Sequence, residues 1–109
     1  MTAISVNDAI AGYIDHVSVE RGLSANTVAA YKRDLARYSR WCRSIEIALV
    51  EEVDSHDVAR FAASLRNPNA NGVAEESTLS ASSAARVVIA VRSFHKFAVL
   101  EGWSPSDPA

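Results

Sequence analysis

A chain of 109 residues holds material for one domain with one core, and at 49% hydrophobic and 22% charged residues it has the composition of a globular domain, not of a disordered tail. The single Cys42 leaves no internal disulfide to make and no cysteine–histidine spacing resembles a zinc site, which excludes a disulfide scaffold and a zinc module and suits a reducing compartment. The formal net charge of −2 speaks against a uniformly basic nucleic-acid binder; with no signal peptide and no apolar run near the roughly 20 residues of a membrane span, a cytoplasmic setting is expected.

Ser5 is placed to cap a first helix with Asp8 in its first turn; Ile10, Tyr13, Ile14 and Val17 recur at helical spacing, and Gly22 reads as the stop. Ser24 caps a second helix over about 25–43, with an apolar stripe of Val28, Tyr31, Leu35, Tyr38 and Cys42. Residues 44–53 alternate through Ile45, Ile47, Leu49 and Val50, but a lone strand has no partner here, so the segment reads as a connector. Asp54 and Asp57 form a cap with an acidic first turn for a third helix, carried by Val58, Phe61, Ala62 and Leu65 to near Arg66. Residues 67–79 are a long polar loop. Ser80 caps the fourth helix, in which Ala84, Val88, Val91, Phe94 or His95, and Ala98 face the core until Gly102; residues 104–109, with Pro105 and Pro108, read as the start of a linker after a 1–103 domain. The expected fold class is therefore all-α, a compact four-helix bundle.

The average charge conceals its distribution. Arg21, Lys32, Arg33, Arg37, Arg40 and Arg43 fall in residues 21–43 against Asp34 alone, and Arg86, Arg92 and Lys96 precede any acid in the last helix. The second and fourth helices are basic and the remainder acidic. On the second helix Asn26, Ala30, Arg33 and Arg37 step by four, three and four, which puts them on one face opposite the apolar stripe. A small residue such as Ala30 at the centre of that face allows close approach to a groove, and Thr27 in the first turn can meet a phosphate beside unpaired backbone N–H groups. Ser82, Ser83, Arg86, Ala90 and Ser93 make a similar face on the fourth helix, from which Arg86 can reach a guanine edge. A solvated charged face is the plainer reading of either helix taken singly.

Enzyme signatures do not survive inspection. Ser55, His56 and Asp57 name the members of a hydrolase triad, but adjacent helical residues point in different directions, and capping explains them better. His16, His56 and His95 lack metal-ligand spacing and no Gly-rich phosphate loop is present, so no metal, no cofactor and no catalytic residue is assigned. Tyr13, Tyr31 and Tyr38 are placed in the core with their hydroxyls near its edge, and Trp41 and Trp103 are packing anchors.

The run Leu23-Ser24-Ala25-Asn26-Thr27-Val28-Ala29-Ala30-Tyr31-Lys32-Arg33-Asp34-Leu35 resembles the L-S-x-N-T-x-x-x-Y-x-x-D-L opening of the core-binding domain of tyrosine recombinases and phage integrases. Tyr13-Ile14-Asp15-His16, Glu20-Arg21-Gly22, Ser82-Ser83-Ala84-Ala85-Arg86 and Ala90-Val91-Arg92-Ser93-Phe94-His95-Lys96-Phe97 are similar to the Xer branch, its XerD type above all. The resemblance implies a SAM-like four-helix domain forming half of a clamp around a double-stranded recombination half-site, dif-like in the Xer branch, for DNA integration, recombination and chromosome dimer resolution. By position it implies DNA contacts from Asn26, Thr27, Ala30, Arg33, Arg37, Ser82, Ser83, Arg86 and Ala90, with Ser24, Lys32, Arg92 and Lys96 as candidate phosphate contacts. It also implies a parent recombinase that forms a 3′-phosphotyrosyl intermediate in a second domain, with a XerC-like recombinase and an FtsK-type DNA translocase as partners. The alternative from another class is a helical protein-interaction or oligomerisation bundle, whose binding salt would barely affect.

Overall fold

A computed structural model describes residues 3–66 and 79–109, and among them the chain forms four α-helices: α1 (Val6–Val19), α2 (Ala25–Ser44), α3 (Ser55–Ser64) and α4 (Ala81–Leu100). Each begins at the cap that local chemistry dictates. The hydroxyls of Ser5, Ser24 and Ser80 accept from the backbone N–H three residues on, at 3.0, 3.2 and 3.3 Å, satisfying donors that the first helical turn leaves unpaired. Asp54 and Asp57 form a reciprocal box, Asp57 N–H to Asp54 Oδ1 at 2.8 Å and Asp54 N–H to Asp57 Oδ2 at 3.1 Å, which occupies the aspartate of the apparent triad in capping. Gly22 and Gly102, at φ of +62° and +77°, turn the chain after α1 and α4 through a region that a side chain disfavours.

The connector between α2 and α3 forms no strand beyond a single antiparallel bridge, Ser5 to Leu49, in which Val6 N–H donates to Ala48 O and Val50 N–H to Ile4 O. A turn of 3₁₀ helix follows at Val50–Glu52, with Glu52 Oε1 accepting from the N–H groups of Ala48 and Leu49. The long polar loop expected over 67–79 lies outside the described residues apart from Leu79, whose N–H donates to Leu65 O at 2.8 Å and so anchors the approach to α4 on the end of α3.

One core joins all four helices. Ile10, Tyr13, Ile14 and Val17 of α1 meet Leu35, Tyr38 and Cys42 of α2, Val58 and Phe61 of α3, and Ala84, Val91, Phe94 and Ala98 of α4. Two positions of α4 depart from the expected stripe: Val87 is buried where Val88 was expected, and Ala90 is 1% exposed. Tyr38 departs as well, because its hydroxyl lies inside the core, 2.7 Å from His95 Nε2. At the far end of α4, Trp103 packs edge-on against Phe97 and over Gly12, where a Cβ would come within 2.8 Å of the indole; Ser104 is buried behind it.

Cys42 is fully buried, and that burial pushes its thiol up to about 12 against a lesser opposing hydrogen bond from Tyr38. The thiolate that thiol reagents require is thus both scarce and shielded at neutral pH. Labelling with a coloured disulfide reagent should run at least about a hundredfold more slowly in native buffer than in concentrated urea, tracking the opening of the core. Comparable rates would place Cys42 at the surface.

Candidate nucleic-acid interface

The basic residues of α2 and α4 converge because the two helices pack against each other through Tyr38, Phe94 and His95. With that packing set, the side chains one turn outward on each helix share a groove of about 350 Å³, lined by Arg33, Asp34, Ala36, Arg37 and Arg40 of α2, Arg86 and Val87 of α4, and Leu79 before it. Four arginines from two helices therefore surround one aspartate. Asp34 is 4% exposed, and both its oxygens are taken by Arg86, Nε to Oδ2 at 3.0 Å and Nη2 to Oδ1 at 2.9 Å. The hydrogen bonds to Asp34, and then its charge, raise the Arg86 pKa, so this guanidinium is a permanent cation.

Ser24, Asn26, Lys32 and Arg33 are exposed, while Thr27, Ala30 and Arg37 are half-buried. Ser24 Oγ donates to Thr27 Oγ1 at 2.9 Å while accepting from the Thr27 N–H, so the two hydroxyls stand together at the N-terminus of α2, and the Thr27 hydroxyl keeps its own proton to donate. Arg40, absent from the expected contacts, joins the groove one turn beyond Arg37.

On α4 the face is rotated from the one expected. Ser82 and Arg86 are exposed and Ser83 and Ser93 half-buried, but Ala90 lies in the core and cannot face a ligand in this arrangement; Ile89, 58% exposed, takes the surface position. The physical reason is steric: the methyl of Ala90 fits where α4 packs inside the bundle, and Ile89, one residue and about 100° earlier on the helix, is turned outward. An acid from the other helix does meet this face, since Asp34 of α2 pairs with Arg86. Sequence reasoning had no signal for that pair across 52 residues. Arg92 and Lys96 are exposed, and Lys96 lines a separate groove between α1 and α4 with Tyr13, His16, Arg21, Ser93, Phe97 and Leu100.

Among the described residues no cluster of His, Cys, Asp and Glu is arranged to hold a metal ion, and no helix is long and apolar enough to cross a membrane. His56 is exposed, while His95 is fully buried, where desolvation lowers its pKa to about 4 against a smaller opposing influence of Asp107.

The chain is 45% identical over 100 residues to the tyrosine recombinase XerD of Mycobacterium tuberculosis strain H37Rv, covering 90% of this chain and 31% of that protein. It is 43% identical over 110 residues to the XerD of Mycobacterium leprae, covering 100% and 34%, and 38% identical over 97 residues to that of Corynebacterium glutamicum, covering 89% and 31%. It thus spans about a third of the length of these curated relatives. No solved structure matches it. The family profile described as phage integrase, N-terminal SAM-like domain, matches residues 10–102. Since that match takes in all of the helical bundle except the first turn of α1, this chain belongs to the phage integrase N-terminal SAM-like domain family.

Proposed function

We propose that this chain is the DNA-binding N-terminal domain of a XerD-like site-specific tyrosine recombinase and that it holds one half of a recombination site through α2 and α4. The observation that carries the reading is the convergence of Arg33, Arg37, Arg40 and Arg86 on one groove in a chain whose net charge is −2. Cations gathered so locally in an acidic chain match a polyanion that meets the protein on one side. Asn26, Thr27, Ala30, Arg33, Arg37, Ser82, Ser83 and Arg86 then face the duplex, and Ser24, Lys32, Arg92 and Lys96 serve its phosphates. Ala90 drops out of this set because it is buried.

In this reading residues 104–109 begin a linker to a catalytic domain, and a tyrosine there attacks the scissile phosphate to form the 3′-phosphotyrosyl intermediate. The half-site is dif-like, the partners are a XerC-like recombinase and an FtsK-type translocase, and the setting is cytoplasmic, as the resemblance of residues 13–16, 20–22, 82–86 and 90–97 to the Xer branch implies. Another feature favours a protein contact elsewhere on the domain. Val19 and Leu100, 78% and 75% exposed, line a groove between α1 and α4, as an interaction bundle would require.

The test is a fluorescence-anisotropy titration of the 109-residue chain against a duplex selected from a randomised pool and a shuffled control, at low and at moderate salt. Binding that prefers the selected duplex and weakens steeply with salt is expected, because phosphate neutralisation releases counterions. No binding even at low salt would leave the interaction bundle as the better reading.

A further inference from the structure

We infer that Asp34 is a positioning residue for DNA recognition: by gripping one edge of the Arg86 guanidinium from beneath, it presents the opposite edge to the duplex in a fixed orientation. The inference rests on the proposed DNA-binding role of α2 and α4 and assigns a task within it to a residue that neither charge nor burial alone explains.

An acid in the midst of a basic face weakens attraction to phosphate, so electrostatics alone gives no reason for it. Burial alone gives none either, since an apolar side chain at this point would avoid the desolvation of a carboxylate. The geometry supplies the reason. Asp34 has a side-chain exposure of 5% and Arg86 of 48%, so the carboxylate is the fixed partner and the guanidinium lies between it and solvent. The contact is side-on and bidentate, engaging Nε and one N–H of Nη2 at 3.0 and 2.9 Å. A guanidinium has five N–H groups in a rigid plane; this pairing leaves the two of Nη1 and the outer one of Nη2 unused by Asp34. One N–H from each of those nitrogens forms a second parallel fork, the arrangement that matches O6 and N7 of guanine. An unpaired arginine must freeze several rotors when it binds, whereas Arg86 has lost that freedom before the duplex arrives.

Positioning and plain electrostatics predict opposite results for Asp34→Asn. Removing a negative charge from the face should leave affinity for the shuffled duplex unchanged or raise it. Loss of the grip on Arg86 should reduce the preference for the selected duplex, by roughly 5- to 10-fold if Arg86 reads a base. Arg86→Ala should reduce the preference to a similar degree, and adding Asp34→Asn to Arg86→Ala should reduce it no further. Thermal melts of each variant separate binding from folding. Should Asp34→Asn fail to fold, Arg86→Lys decides, since its ammonium can still pair with Asp34 but presents no second fork. That variant should lose the preference and keep its affinity for shuffled duplex. Preference retained in a folded Asp34→Asn or in Arg86→Lys, or an equal loss on both duplexes, overturns the positioning role. If the unaltered chain shows no salt-sensitive DNA binding, the function proposed above falls first.

Discussion

Phe94→Ala should lower the stability of the domain by about 3–5 kcal/mol, the range found when a fully buried aromatic is truncated to leave a cavity. Phe94 is 0% exposed and sits where three helices meet. Its ring lies edge-on to Tyr13 of α1 at 6.1 Å and to Tyr38 of α2 at 6.4 Å, beside His95 of its own helix at 5.0 Å. The neighbours are large and hold one another, with Tyr38 also against Phe61 at 4.9 Å, so they cannot readily close over the void. A domain of this size has a total stability on the order of 5–15 kcal/mol, of which the substitution removes a large share. Urea denaturation should show a lower midpoint with an unchanged slope. Phe97→Ala, at a half-buried position against Trp103 and His16, should have a clearly smaller effect. Equal losses for the two would mean that α4 is rotated from the arrangement described. Since α4 carries Arg86 into the groove of α2, Phe94→Ala should also abolish DNA binding at temperatures where the variant is unfolded while sparing it below them.

How much of this was legible in the sequence follows the range of each interaction. Caps act over three residues, and the bonds expected of Ser5, Ser24, Asp54 and Ser80 are those observed. The stripe of α2 was legible at Leu35, Tyr38 and Cys42 because polar residues separate the apolar ones and make the period plain. In α4 the run Val87-Val88-Ile89-Ala90-Val91 is apolar throughout, so the pattern could not fix the helix rotation. Packing fixed it, turning Val87, Ala90 and Val91 inward and Ile89 outward. The candidate site divides in the same way. On its α2 half, the placing of Arg33 and Arg37 on one face follows from their spacing of four. The pairing of Arg86 with Asp34 and the arrival of Arg40 beside Arg86 depend on how two helices cross, and no local signal encodes that. His95 shows the same limit, since only the packed bundle decides whether a histidine beside a phenylalanine is buried with it or turned to water.

Because His95 is buried as the neutral imidazole, the domain should lose stability as the pH falls below about 6.5, before most carboxylates titrate. The folded state holds the His95 pKa down at about 4, chiefly by desolvation, whereas the unfolded chain takes up the proton near the ordinary 6.5. The unfolded state therefore binds more protons throughout that interval, so the stabilisation is complete above about 6.5 and disappears as the pH falls toward 4. Integrated down to about pH 4.5, the difference amounts to a few kcal/mol, on the order of 2–3. The buried Tyr38 hydroxyl, its pKa raised above the ordinary value by the same desolvation, stays protonated across this window. Nε2 has the Tyr38 hydroxyl as its partner and Nδ1 has none among the described residues, so the doubly protonated ring would hold one buried N–H with no acceptor. Denaturant melts between pH 7.5 and 4.5 should show the fall in the unaltered chain. His95→Gln keeps a polar group within reach of Tyr38 but does not titrate; it should begin less stable, because an amide fills the imidazole's site imperfectly, and then change far less with pH. Parallel profiles for the two proteins would transfer the acid sensitivity to the carboxylates, whereas a shallower profile for His95→Gln alone would locate it in the contact that joins α2 to α4 and sets the two basic helices side by side.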